Sequence, residues 1–243
     1  MNNKDFSNGF DNLLNSYAHS GRFGEDVSTI DLRVDEYEKS QFLAYAQEDI
    51  VLSLYTGRNS STLGFEETEE LRRYLSNLVE DAELSPTTTS NGKPLGVDSN
   101  SKFFTLPDNL WFITYESVLI SNGKCGNDTT MEVVPVRQDE YHRLKNNPFR
   151  GANDRRSLRL DLSDGMVEIV SKYNVTSYYV RYLKKIKPIV LTDLREDGLT
   201  INGVSEATEC ELHESLHHRI LERAVEMAIR SRVGGRTTQS SQE

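Results

Sequence analysis

The sequence is poor in cysteine, in basic charge and in long apolar runs, and each shortage removes a class of function. Its two cysteines, Cys125 and Cys210, stand far apart without C-x-x-C spacing. Neither a disulfide framework nor a cysteine-based zinc site is encoded, and a reducing cytosol fits. Lysine and arginine total 28 against 38 aspartates and glutamates, a formal charge of −10. A broad nucleic-acid-gripping face needs clustered cations to release counterions from phosphates, so that class is disfavoured. A surface that DNA passes without adhering is allowed. No apolar run approaches the roughly 18 residues of a membrane span, and MNNKDFSNGF has no basic region followed by an apolar stretch. No membrane partner and no secretory signal are expected. The phosphate-binding loops G-x-x-x-x-G-K-[ST] and G-x-G-x-x-G and the hydrolase elbow G-x-S-x-G do not occur.

What is there is a chain of 243 residues, 36% hydrophobic and 27% charged, long enough to bury a sizeable core. Residues 1–28, rich in Asn, Ser and Gly, carry Phe6, Phe10, Leu13, Leu14 and Tyr17 at spacings suited to a short helix or docking arm; the segment is read as a flexible arm. A helical pair is expected over 29–84. Phe42, Leu43, Ala46, Ile50 and Leu54 recur with helical period before Gly57 stops the run. Leu71, Leu75, Leu78 and Val79 form the seam of a second helix, Glu66 to Glu83, expected to lie antiparallel to the first. The turn-forming run from Ser85 to Asn100 separates this pair from a β-rich region.

Within residues 101–233, strands are expected at Phe103 to Leu106, Leu110 to Ser121, Met131 to Arg137, Leu158 to Leu162, Met166 to Lys172 and Ser177 to Leu191. In the last of these, Tyr178, Val180 and Tyr182 alternate with Tyr179, Arg181 and Leu183. Asn122-Gly123 favours a hairpin, and QDEYHRLKNNP reads as a short helix ended by Pro148. From Glu211 to Val233 the stripe Leu212, Leu216, Ile220, Leu221, Ala224, Val225, Ala228 and Ile229 marks a closing helix. Leu216, Ile220 and Ala224 are expected to anchor it to the sheet, leaving its arginines for a neighbour. Residues 234–243 read as a flexible tail. The fold class is α+β, with N-terminal helices, a mixed and mostly antiparallel sheet and a long C-terminal amphipathic helix, 29–84 and 101–233 together making one compact domain.

One enzyme signature is present. His213-Glu214-Ser215-Leu216-His217 matches H-E-x-x-H, which on a helix sets two imidazoles on one face with a carboxylate free to activate zinc-bound water. A zinc hydrolase built on His213, Glu214 and His217 is therefore the alternative reading. It lacks a reachable third ligand, since His217 is followed by HRILERAV, and Glu222 and Glu226 lie on the same helix, which cannot fold back on itself. A partly exposed first-turn His213 and a half-buried His217 that packs on the flank of Leu221 and Val225 explain the motif more simply. Cys125 in NGKCGND reads as a free surface thiol. Two basic clusters, Arg150, Arg155, Arg156 and Arg159, and Lys184, Lys185 and Lys187, suit either phosphates, acidic patches of a partner, or plain solvation.

Several blocks resemble a family of virion structural proteins of crAss-like bacteriophages. They are DEYEKSQFLAYAQEDIVLSLYTG (35–57), FEETEELRRYLSNLV (65–79), LPDNLWFITYESV (106–118), VPVRQDEYHRLKNNPFR (135–150), YYVRYLKKIKPIVLTDL (178–194) and NGVSEATECELHESLHHRILERAVEMA (202–228). The resemblance implies a non-enzymatic ring or head-tail adaptor subunit at the portal vertex of a short-tailed phage, with no cofactor and no catalytic or metal residues to carry over. Its expected partners are further copies of itself in a ring of about twelve, the portal protein and other neck or tail rings, with genome DNA passing through the lumen unread. Assembly in the host cytoplasm and residence in the virion follow. The tyrosine-rich strand and the arginines suit an interface. The interface residues expected are Arg155, Arg156, Arg159, Arg219, Arg223, Arg230 and Arg232 on the basic side and Glu66, Glu67, Glu69 and Glu70 on the acidic side.

Overall fold

The computed structural model describes residues 1–19, 33–58, 64, 67–87, 96–121 and 128–237, without the side chains of residues 18, 19 and 233–237. The chain divides into two compact units, Met1–Leu78 with Ile186–Glu243, and Val79–Lys185.

The first unit is helical. Its α1 spans Asn3–His19, in place of the flexible arm expected there, because Phe6, Phe10 and Leu14 fall four residues apart and are all buried. The α2 helix spans Glu36–Thr56; Asp35 caps it by accepting from the Glu38 amide, and Gly57 ends it at φ 73°. Lys39 lies buried between α1 and α2 and donates to Asp11 at 2.8 Å and Glu36 at 2.9 Å. Burial works against its charge, but the two carboxylates more than offset it and hold its pKa above the ordinary value. The C-terminal α5 runs over Glu214–Thr237, into the segment expected as tail. Its apolar stripe, expected against the sheet, packs on α1 and α2, which present stripes of their own. Gly9 lets α1 approach α5 closely, since a Cβ there would sit 2.7 Å from Leu221 Cδ2. The α2 helix accordingly has α5 as a main neighbour. The expected second member of a pair with α2 is short: α3, Glu69–Leu75, is followed by a 3₁₀ turn, Ser76–Leu78. A segment with two isolated bridges, Val190↔Thr208 and Ile201↔Val204, completes the unit, packing Val190, Leu194 and Ile201 around Ala44 of α2.

Among the described residues, the second unit is a seven-stranded sheet with one helix. Its strands are β1 (Val79–Leu84), β2 (Lys102–Thr105), β3 (Leu110–Ser121), β4 (Thr129–Pro135), β5 (Arg156–Asp161), β6 (Met166–Val170) and β7 (Asn174–Lys184), and α4 (Gln138–Leu144) follows β4. The order is β1-β7-β3-β4-β5-β6-β2. Only the β4–β5 pairing is parallel, because the segment holding α4 carries the chain back to the same end of the sheet. The sheet is therefore mixed and mostly antiparallel, as the α+β reading requires. Register shifts along β3–β7 help it curl, and beyond β1 the Thr87 amide donates to Phe103 O of β2 at 2.7 Å. The enclosed core includes Phe104, Val118, Ile120, Val167, Ile169, Tyr178 and Val180. Two strand expectations change. Residues 79–84, assigned to a helix by their apolar spacing, pair with β7 as β1, and β7 ends at Lys184 rather than at Leu191, four residues short of Pro188.

Candidate functional site

The H-E-x-x-H segment does not assemble two free imidazoles. The α5 helix begins at Glu214, so His213 lies outside it, exposed, with its ring 6.0 Å from that of Tyr74. His217 is buried against Phe6, ring centroids 5.4 Å apart. Its Nε2–H donates to Leu212 O at 3.1 Å, and its Nδ1 accepts from the Met1 amino group at 2.9 Å. Both ring nitrogens are thus engaged, and burial pushes the His217 pKa below its ordinary 6.5. Among the described residues, no three His, Cys, Asp or Glu side chains converge as a metal site. Cys125 lies outside the described residues. Cys210 is half-buried and its thiol is pushed up to about 11 by burial, which suppresses the reactive thiolate.

The arginines separate into two groups. Arg159 on β5 is internal: it donates to Glu116 at 2.8 Å, and its Nε lies 2.9 Å from Asp161. Tyr178 also donates to Glu116, at 2.6 Å. Burial pushes the Glu116 carboxyl up, while Tyr178 and Arg159 pull it down. Arg223 pairs with Asp49 and Arg232 with Glu38, each at 2.8 Å, so these two tie α5 to α2. Arg155, Arg219 and Arg230 are exposed and Arg156 is half-buried. On the acidic side, Glu69 pairs with Arg73 at 3.1 Å, Glu70 accepts from Tyr74, and Glu67 accepts from the Gly64 amide at 2.6 Å. Glu66 lies outside the described residues. A cleft of about 590 Å³ between α2 and α5 is lined by Asp49, Glu222 and Glu226 and by Arg58, Arg219 and Arg223. Its balance of three acids and three bases favours neither an anion nor a cation.

A residue that sequence reasoning passed over is Phe149, 85% exposed, on the loop between α4 and β5. The loop is ordered by its own hydrogen bonds. Asn147 Oδ1 accepts from the amides of Phe149 and Arg150 at 2.9 and 3.1 Å, and Arg156 donates to Phe149 O at 3.4 Å. The turn-forming Asn-Pro before Phe149 was the available signal.

A family model described as phage tail ring protein 3/4 matches residues 1–241. Ring protein 3 of Bacteroides phage crAss001 is 48% identical over 235 residues, 96% of each chain. Ring protein 4/5 of the same phage is 31% identical over 236 residues, covering 94% of this chain and 92% of its own length. Helices, mixed sheet and arginine-bearing C-terminal helix are those of a chain that belongs to the phage tail ring protein 3/4 family.

Proposed function

We propose that this ring protein is a non-enzymatic structural subunit placed between the portal and the tail of a short-tailed phage, its ring lining the channel through which DNA leaves. The observation that carries the reading is the family match over 1–241, nearly the whole chain. The engaged nitrogens of His217 support a role without zinc catalysis. Each copy carries −10, so a ring of about twelve carries about −120, a field that matters over a Debye length of about 8 Å. Like charge in the lumen keeps DNA from adhering. Copies that repel must be joined by contacts that set basic patches against acidic ones, and the arginines on the surface for that are the exposed Arg155, Arg219 and Arg230 and the half-buried Arg156. The acidic candidates are Glu67, Glu69 and Glu70, with Glu66 beside them in sequence. The other partners are the portal protein and neighbouring rings, met during assembly in the host cytoplasm.

Electron microscopy of the purified chain and of the intact virion tests this. Closed rings in the neck with an acidic lumen are expected. A strongly basic lumen, or monomers in the virion, would overturn it.

A further inference from the structure

We infer that each copy seats its Phe149 in a cleft on the second unit of the next copy, floored by Phe103, Leu162 and Met166 and rimmed by Asp161 and Asp164. The inference rests on the ring reading above and names the contact that builds the ring.

Phe149 is the most exposed large apolar side chain among the described residues. It stands on a loop whose backbone is tied by its own hydrogen bonds. The Gly151 amide donates to Asn147 O at 2.7 Å, and a Cβ at Gly151 would meet the carbonyls of Asn147 and Leu144 at 2.7 Å. A backbone already ordered before binding has less freedom to lose, which favours an exposed aromatic side chain on it as an interface anchor. Arg150, Arg155 and Arg156 surround it in sequence, and Arg156 reaches its carbonyl. The projection is therefore an apolar tip with a basic collar.

The cleft has the inverse character. Its volume is about 320 Å³, above the roughly 150 Å³ that suffices for benzene in an apolar cavity. Phe103 and Met166 are each 8% exposed at its floor. Its rim is fixed by the β5–β6 turn, where Asp164 and Gly165 take φ of 59° and 66° and the Met166 amide donates to Ser163 O at 3.2 Å. Asp164 and Asp161, both exposed, give it an acidic edge, Asp161 also lying 2.9 Å from Arg159 of its own copy.

The placement of the two features suits a head-to-tail association. β5 begins at Arg156 beside the Phe149 loop and ends at Asp161 on the cleft, about 17 Å along a strand. α4 likewise begins at Gln138 on the cleft and ends at Leu144, before the loop. Tip and cleft lie at opposite ends of the same elements, so a head-to-tail contact sets each copy's tip on one neighbour and its cleft on the other, and it closes as a ring when the rotation between copies closes. It gives Arg155 and Arg156 Asp161 and Asp164 as partners in place of the Glu67 to Glu70 run.

The test uses the full chain with Cys125→Ser and Cys210→Ala, carrying Arg150→Cys beside the intact Phe149 together with Ser163→Cys. Assembled rings are treated with a short bis-maleimide. The expected result is a ladder of covalent oligomers from dimer upward, absent from either single-cysteine control. Intact rings without a ladder, products that stop at dimer, or Ser163→Cys linking to a different virion protein would each overturn the contact while leaving the ring function standing. Wild-type monomers in the virion would overturn both. As a second readout, Phe149→Asp should lower ring yield at least tenfold with unchanged thermal melting, and Phe149→Tyr should retain it. Unaltered ring yield in Phe149→Asp refutes the inference.

Discussion

His217 donates its Nε2–H to Leu212 O at 3.1 Å, a bond that fixes one tautomer and leaves Nδ1 as an acceptor for the Met1 amino group at 2.9 Å. Protonating Nδ1 would set two cations against each other beneath Phe6. Burial above all, with the Met1 amino group and His213 adding to it, holds the folded pKa below 6.5. Between 6.5 and that lower value the unfolded chain binds a proton that the folded chain refuses. The contribution of His217 to stability is therefore complete above pH 6.5 and is lost as pH falls through this window. Urea denaturation at pH 7.5 and 5.5 should show the loss, and His217→Gln should flatten the difference. An unchanged pH slope in His217→Gln would assign the loss to other groups.

The same geometry predicts the metal behaviour. Zinc at His217 would have to displace Leu212 O or the Met1 amino group, and His213 lies off the helix that should carry it beside His217. Protein passed through gel filtration is expected to hold no stoichiometric zinc by metal analysis. His217→Ala should lower the melting temperature, and Glu214→Gln should be silent. Zinc retained at one per chain, with peptidase activity abolished by Glu214→Gln, contradicts this.

Arginines of the fold and arginines of the assembly are expected to part in a mutational comparison. The Arg159 and Glu116 side chains are 11% and 9% exposed, so Arg159→Met strands a buried carboxylate and should cost roughly 3–5 kcal/mol. Arg155→Glu with Arg156→Glu should change monomer stability by about 0.5 kcal/mol or less while reducing ring yield. Denaturant titration and negative-stain microscopy read the two effects separately. Equal destabilisation by both sets would make Arg155 and Arg156 part of the fold.

These contrasts mark what sequence could show. The period of Tyr178, Val180 and Tyr182 is a local property and placed β7 on a buried face, and the run ending at Gly57 placed α2. By contrast, Leu71, Leu75, Leu78 and Val79 satisfy a helical template, yet Val79 to Leu84 become a strand because β7 offers an antiparallel partner from Tyr178 to Leu183. That partner is about a hundred residues away in sequence, beyond any local pattern. Arg159 reads as one of a basic cluster until Glu116 appears beside it. An amphipathic stripe likewise says that α5 must be covered but not by what.

The N-terminal helix makes that last point testable. Its sequence is rich in Asn, Ser and Asp, and by composition it reads as a flexible arm. In the structure Phe6 and Phe10 are fully buried and Leu14 nearly so; Gly9 lets α1 approach Leu221 of α5. If this packing is integral, Phe10→Ala should cost roughly 3–5 kcal/mol, and Leu216→Ala or Ile220→Ala on α5 about 2–5 kcal/mol. Gly9→Val should also destabilise, because its Cβ would overlap a Leu221 that is itself buried and has nowhere to go. Arg219→Ala serves as the control from the exposed face of the same helix and should leave monomer stability nearly unchanged. Denaturant midpoints of the purified variants decide the matter. If Phe10→Ala behaves like Arg219→Ala, α1 is a detachable arm after all, and the helical unit must be held together by α2 and α5 alone.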